Sequence, residues 1–498
     1  MNDSRFDTVI RSASVFDGSG APAFEADVAI RGDRIAEIGK VEARGAVEID
    51  ATGRALAPGF IDVHSHDDYS VLVTPEMDFK VMQGVTADVV GNCGFGAAPN
   101  PAAGAMFRAM FGEASVPEWT GYPQYLDVID RNPPSLNVAV LVGHGTLRFA
   151  AMQGIHQREP TAAEIETMRG WLREAIDAGA VGLSTGLIYE PGRYSTTAEI
   201  IEIARAMTGT GALYASHMRN EAAQLLDAIA ETIRISEQAG VAVQISHHKA
   251  SGRANWGKVR ASLGLIEQAR ARGLDVSADQ YPYTSGSTVL QAVLQNDALG
   301  DGRGGVGRVG PEHVLLASVP KMPHFEGKTL EHVATEFDLP AKAAAEKLVR
   351  ENGMGLVVVI EMMDEADVRT VMRHPSTMIG SDGIALGSKP HPRLYGTFPR
   401  VLGRYARDLG LLTLEDAVHR MTGMPAAKFH LKDRGFIRTG AFADLVLFDP
   451  GTVADTATYD DPRRYPTGIS HVFVNGTAVV RDGLHTGARP GRALRRDA

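Results

Sequence analysis

A single cysteine, Cys93, stands in the 498 residues, so no disulfide can form within the chain. No apolar run approaches the ~20 residues of a membrane span. The start, MNDSRFDTVIRSASVFDG, lacks the basic stretch and apolar core of a secretory signal. Basic charge is short as well. Lys plus Arg is 50 against 60 for Asp plus Glu, and a net charge of −10 suits neither nucleic acid nor an anionic membrane. No G-x-G-x-x-G follows the first strand-like segment, and DALGDGRGGVGRVG (297–310) lacks the Lys-Ser/Thr of a phosphate-binding loop. No short internal repeat stands out. The expectation is a cytoplasmic protein, monomer or small homo-oligomer, whose partner is a small molecule.

The hydrophobic share of 44% and the charged share of 22% are ordinary for a chain that buries a large core. Both ends read as short strands with turns. Asp7–Val15 and Ala26–Ile38 lie at one end, ADLVLF (443–448) and SHVFVNGTAVV (470–480) at the other, with Asn475-Gly476 as a hairpin signal. The middle alternates strand-like segments with helical patterns at Thr161–Ala178, Ala198–Thr208, Glu221–Ala239 and Val259–Arg272. Repeated βα units of this number predict an α/β fold, a (β/α)8 TIM-like barrel. The reading places a small β-domain in 1–56 and 435–498 and the barrel in 57–434. An insertion of roughly 284–350 follows a late barrel strand and holds the Gly-rich stretch as a flexible loop.

Polar residues recur where the strand-like segments end. His64 and His66 close GFIDVHSH, Cys93 closes VVGNC, and His144 closes AVLVGH. His217 closes LYASH, His247 closes VQISH, Asp279 follows LDVSA, and Asp382 closes TMIGSD. In a barrel these ends form one rim, where active sites lie. Two histidines spaced by two share a strand face and suit a zinc-type ion. An HxH alone is a weak signal, and Cys93 alone would be a small buried hydrophobe. Together with His217 and His247 they form a candidate metal set in which Cys93 is a thiolate ligand. His248, next to His247, points the other way. Asp382 is a candidate general base beside the metal, against the bland reading of a turn Asp before Gly. Arg393 and Lys249 could clamp a carboxylate, although most such residues are solvated. Tyr189, Tyr281 and Tyr283 lie just past strand-like segments and, with Ser287 and Met363, are candidates to line a substrate pocket. The bland alternative is core or rim packing. His144 can touch the site or only hold a loop.

These motifs resemble the N-acyl-D-amino-acid deacylases (D-aminoacylases) of the amidohydrolase superfamily. The matching stretches are APGFIDVHSHDD, GNCGFGAAP, NVAVLVGHGTLR, GLSTGLIYEPG, SHMRNE, ISHHKASG, DQYPYTSGST, IGSDG and HPRLYGTFPRVLGRY, in order from about residue 57 to 405. The resemblance implies one zinc held tightly by Cys93, His217 and His247, with His64 and His66 able to hold a second, weaker metal. It makes Asp382 the general base and then acid, and brings Lys249, Arg393 and Tyr281 to the substrate α-carboxylate. The implied activity is hydrolysis of N-acyl-D-amino acids. TSGSTVLQAVLQ (284–295) carries no Lys or Arg, and Met363 and Ile188 are apolar, so the side-chain preference leans to neutral apolar residues. Arg303 or Arg308 folding inward would reverse that. The alternatives are an N-acyl-D-glutamate or N-acyl-D-aspartate deacylase, a hydantoinase-like cyclic amidohydrolase, and a non-catalytic scaffold.

Overall fold

The computed structural model describes residues 6–111 and 116–496; the first five residues of the N-terminal stretch lie outside it. Eight parallel strands form the central sheet: β1 (Phe60–Asp62), β2 (Val85–Val90), β3 (Asn137–Gly143), β4 (Gly182–Gly186), β5 (Leu213–His217), β6 (Val243–Ile245), β7 (Val276–Gln280) and β8 (Thr377–Ile379). Each pairs with its neighbours in sequence order. The Ser65–Gly383 bridge, with the Asp382 N–H donating to the His64 carbonyl at 2.7 Å, brings the far edges together and all but closes a barrel.

Every residue of the eight strands is buried because both faces are covered, and Asn137–Gly143 (NVAVLVG) reads as a near-continuous apolar run. On one face Ile61, Ala87, Val89, Ala139, Leu141, Leu213, Ala215 and Met378 pack as one cluster. On the other, Val138, Val140, Val142, Tyr214, Val243 and Ile245 pack in the cluster that includes helix residues such as Leu172, Ile176, Ile229 and Ile266. The helices occur as Ala162–Asp177, Thr197–Ala204, Leu225–Ala239 and Val259–Ala271. The third starts four residues later than the sequence pattern indicates. Residues 221–224 are held as a loop instead: the Asn220 side chain accepts from the Ala222 and Gln224 N–H groups, and the Glu221 N–H donates to the Gly305 carbonyl.

Strands from both chain ends share a second, nine-stranded sheet. Its order is Leu484–His485, Thr477–Arg481, Ile469–Val474, Leu445–Phe448, Ala55–Pro58, Phe6–Val15, Phe24–Arg31 and Arg34–Gly39, with Gly45–Asp50 also beside Phe6–Val15. The alternation seen in the sequence buries Ile10, Val15, Val28, Ile30, Leu56, Leu445, Leu447 and Phe473 in a core of their own. Between β7 and β8 lies a three-stranded antiparallel sheet of Ser285–Val289, Val314–Ser318 and Val357–Glu361. The Gly-rich stretch is not a free loop. Its Gly305 carbonyl binds Glu221, and Ser251 donates to the Val306 carbonyl. A Cβ at Gly307, where φ is +77°, would stand 2.7 Å from the Ser251 oxygen. Glycine is needed there for close packing as well as for the turn. Among the described residues, no helix is long and apolar enough to cross a membrane.

Candidate metal centre and active site

The C-terminal ends of β1, β2, β5, β6 and β8 bring five of the candidate side chains into one buried cluster. The Cys93 Sγ lies 3.4 Å from His64 Nε2, 3.5 Å from His217 Nδ1 and 3.6 Å from His247 Nε2. His217 Nδ1 and His247 Nε2 are 2.8 Å apart. Cys93 (φ +55°), His247 (φ +34°) and Asp382 (φ +50°) all adopt left-handed backbone conformations. Such conformations cost a side-chain-bearing residue about 1–3 kcal/mol and cluster at functional sites. The backbone under Cys93 leaves no space: a Cβ at Gly186 would stand 2.0 Å from the Cys93 carbonyl oxygen.

Asp382 faces two ways. Its Oδ1 is 3.0 Å from His66 Nε2 and 3.5 Å from His64 Nε2, while its Oδ2 is 2.9 Å from Arg393 Nη1. Burial alone would raise its pKa, but the Arg393 guanidinium and His64 outweigh burial and hold the carboxyl well below the usual carboxylate range. Asp382 is therefore an ionised acceptor at neutral pH. Burial also opposes a Cys93 thiolate, yet His64 and His217 lower the thiol well below its ordinary value. For His66, burial works against the proton, and Asp382 overcomes it to bring the pKa to about 9.

Two acidic residues to which sequence reasoning gave no role support this cluster. Glu221 lies 3.0 Å from His247 Nδ1 and accepts from Lys249 Nζ at 2.7 Å. Burial would raise its pKa, but Lys249, His217 and His247 depress it far below the usual range. Asp279 accepts from the His247 N–H at 2.7 Å and from Gln244 Nε2 at 2.8 Å, and lies 3.3 Å from His64 Nδ1. A carboxylate on the far nitrogen of a histidine fixes tautomer and ring orientation for ligation through the other. Glu221 sits four residues after His217 in SHMRNE, and that spacing was the available signal. Beneath the His64–His66 loop, fully buried Lys80 meets Asp62 at 2.5 Å, Asp67 at 3.1 Å and Asp88 at 3.8 Å, and donates to Ser381 Oγ at 2.9 Å.

The remaining candidates are spread around the mouth. Arg393 is fully buried, its guanidinium 4.4 Å from the Tyr281 ring centre, and its Nη2 donates to the Ser287 carbonyl at 3.3 Å. Lys249 lies 5.7 Å from the same ring. The Tyr189 ring is 4.9 Å from His217, and its hydroxyl meets Thr288 Oγ1 at 3.0 Å. Tyr283 packs edge-on to His391, with Arg400 over its face. Met363 is buried just past Val357–Glu361, its N–H bonded to the Thr284 carbonyl. The His144 ring turns to Glu199 at 3.1 Å, beside Arg148, and that contact belongs to a buried pair outside the cluster. His248 points away, its Nε2 2.9 Å from Ser262 Oγ.

The donors fit a metal ion. One thiolate sulfur and imidazole nitrogens converge from the ends of four strands, all buried, with the outer nitrogens of His247 and His64 held by Glu221 and Asp279. His64, His66 and Asp382 form an adjoining group of nitrogen and oxygen donors. Soft sulfur with imidazole is a donor set suited to zinc.

A barrel bearing such a cluster at the C-terminal ends of its strands defines a metal-dependent hydrolase of the amidohydrolase type, and the amidohydrolase family model matches residues 47–338 and 359–480. The chain is 43% identical to a D-aminoacylase of Alcaligenes xylosoxydans xylosoxydans, over 100% of this chain and 99% of that one. It is also 43% identical to an N-acyl-D-glutamate deacylase of the same organism, covering 99% and 97%. The solved N-acyl-D-glutamate deacylase of Bordetella bronchiseptica, complexed with zinc and a phosphonate mimic of the tetrahedral intermediate, matches with a TM-score of 0.90. It is 40% identical and covers 99% of this chain and 100% of that chain. A solved D-aminoacylase with a binuclear metal centre matches at 0.89 and 41% identity, with 99% and 100% covered. The chain belongs to the D-aminoacylase family of the amidohydrolases. It is an enzyme, a hydrolase of linear amide bonds.

Proposed function

We propose that the enzyme hydrolyses N-acyl-D-amino acids to a carboxylate and a free D-amino acid, preferring neutral apolar side chains such as Leu, Met or Phe. In this reading Cys93, His217 and His247 hold one zinc ion tightly, and His64, His66 and Asp382 can hold a second, weaker metal. The observation that carries the proposal is the division of Asp382. One oxygen faces the histidine cluster and the other faces a buried arginine. When bound, zinc lowers the pKa of a water from 15.7 to about 7 and polarises a carbonyl. Asp382, already ionised, accepts the proton of the attacking water and delivers it to the leaving amide nitrogen. Arg393 and Lys249, with Tyr281 between them, hold the α-carboxylate. Their fixed position relative to Asp382 separates D from L substrates. Glu221 keeps Nε2 of His247 turned to the metal side, and Asp279 does the same for His64.

The apolar preference rests on the surroundings of the mouth. Ile188 and Met363 are buried, Arg303 is 89% exposed and paired with Asp301, and Arg308 is exposed. Similarity does not separate the substrates, because glutamate and aspartate deacylases match at 43% and 40% identity. The likeness to a D-hydantoinase, 17% identical with a TM-score of 0.59, is one of fold alone.

The test is a panel of N-acetyl-D- and L-amino acids, with metal content measured on the same sample. Release of D-Leu, D-Met or D-Phe, silence on the L-isomers and about one zinc per chain is the expected result. Turnover of only the D-Glu or D-Asp derivatives would overturn the side-chain assignment. No turnover with zinc bound would overturn the substrate class.

A further inference from the structure

The loops after β1, β2 and β3 enclose a small cavity that none of the roles above uses. It is lined by His66, Asp68, Tyr69, Phe95, Met106, Phe107 and their neighbours, and measures about 50 Å³. Tyr69 stacks on Phe107 at 3.8 Å, and Trp119 tilts against Tyr69 at 5.6 Å, so the wall is built of packed rings. Two small residues, Ala103 and Gly96, leave the space open.

The place of this cavity in the barrel gives it an occupant. Lys249, Tyr281 and Arg393 follow β6, β7 and β8, whereas the cavity follows β1, β2 and β3. Asp382 lies between the two arcs, with Oδ2 toward Arg393 and Oδ1 toward His66, which is itself a wall of the cavity. A substrate with its α-carboxylate on Arg393 and its amide at Asp382 must send its acyl group to the His66 side. We infer that this cavity is the acyl-chain subsite and that it takes short, uncharged acyl groups; the inference rests on the deacylase reading above.

Size and lining set the class. One ordered water needs ~10–15 Å³ of such space, so the cavity holds a chain of roughly three to five heavy atoms, from acetyl to butyryl. Among the described residues no Lys or Arg lines it, and one wall is the Asp68 carboxyl, whose buried Oδ1 has no hydrogen-bond partner among them. An acyl group ending in a carboxylate, such as succinyl, would meet that acceptor, and the one cationic wall, His66, is already paired with Asp382.

The experiment uses the metal-loaded full-length enzyme and two substrate series. One varies the acyl group of a single D-amino acid (acetyl, butyryl, hexanoyl, succinyl). The other varies the D-side chain of a single acyl group. Ratios of kcat/KM within one sample cancel its active fraction. Met106 is partly exposed, so Met106→Ala opens the wall without emptying the core. It should raise hexanoyl relative to acetyl by about tenfold or more, the scale of a methylene in an apolar pocket. Ala103→Leu should lower butyryl relative to acetyl by a similar factor. Neither should change the D-side-chain ratios. Thermal midpoints read alongside identify a variant that fails to fold, and the other then carries the test. Unchanged acyl ratios in a folded variant, or a shift in the side-chain ratios instead, would overturn the subsite. Efficient wild-type turnover of the succinyl substrate would overturn its neutral character. A wild-type enzyme silent on both series would overturn the deacylase reading itself.

Discussion

Replacing Arg393 by Met removes a buried charge from three partners at once. The guanidinium is fully buried, 2.9 Å from Asp382, 4.4 Å from the Tyr281 ring centre and bonded to the Ser287 carbonyl. Breaking a buried ion pair costs about 3–5 kcal/mol. The lower end applies here, because His66 and His64 still face Asp382. A urea titration should therefore show a loss of about 3 kcal/mol. Loss of a charged hydrogen bond to the substrate carboxylate adds ~1.5–3 kcal/mol to the barrier, roughly 10- to 150-fold in kcat/KM for an N-acetyl-D-amino acid. The pH profile supplies an independent sign. Arg393 pulls the Asp382 pKa down against burial, so its removal raises that pKa. The base must be ionised, so the acid limb moves to higher pH. Arg393→Lys keeps the charge and should restore the limb, but it lacks the planar fork and should restore kcat/KM only in part. A folded Met variant with unchanged kcat/KM and an unmoved acid limb would refute the reasoning.

Glu221→Gln keeps the shape but removes the charge that faces His247 and Lys249. Metal affinity, read by chelator competition, should fall about 10- to 100-fold. Lys80→Met strands the fully buried Asp62, Asp67 and Asp88 carboxyls without their cation. It should destabilise the fold by about 3–5 kcal/mol in a denaturant titration. Asp68 has its pKa raised by burial to about 7. A raised carboxyl favours the protonated folded state, so its contribution is complete below about pH 4 and is lost as pH rises through 7. Asp68→Asn, which still accepts from the Gly91 N–H, should gain stability over wild type between pH 4 and pH 8, by at most about 4 kcal/mol. Parallel pH–stability curves for the two proteins would contradict that assignment.

Much of the fold could be read in the sequence because short strand-like segments, from the apolar NVAVLVG to the mixed LYASH and VSADQ, alternate with helical patterns. The two end regions alternate, because their sheet has a core of its own. The ends of the strand-like segments carried the polar residues, so His64, Cys93, His217, His247 and Asp382 were visible without coordinates. Glu221 was not, because it falls where a helical pattern starts and is pulled out of the helix by Asn220 and the Gly305 carbonyl. Lys80 was hidden in a short helix, and its three carboxylate partners come from separate segments. The Gly-rich insertion looked flexible because glycine signals a turn as readily as a close contact. Only the packing at Gly305 and Gly307 distinguishes the two. The left-handed conformations of Cys93, His247 and Asp382 have no sequence signature beyond a following glycine at Cys93 and Asp382.

The central claim is that Asp382 moves the proton while the thiolate and histidines hold the metal. The most direct measurement is zinc content and turnover of Asp382→Ala on the same preparation. The account predicts zinc bound near the wild-type level and kcat reduced by about 10²- to 10⁴-fold, the contribution of a positioned general base. Near-normal turnover with zinc bound would contradict it.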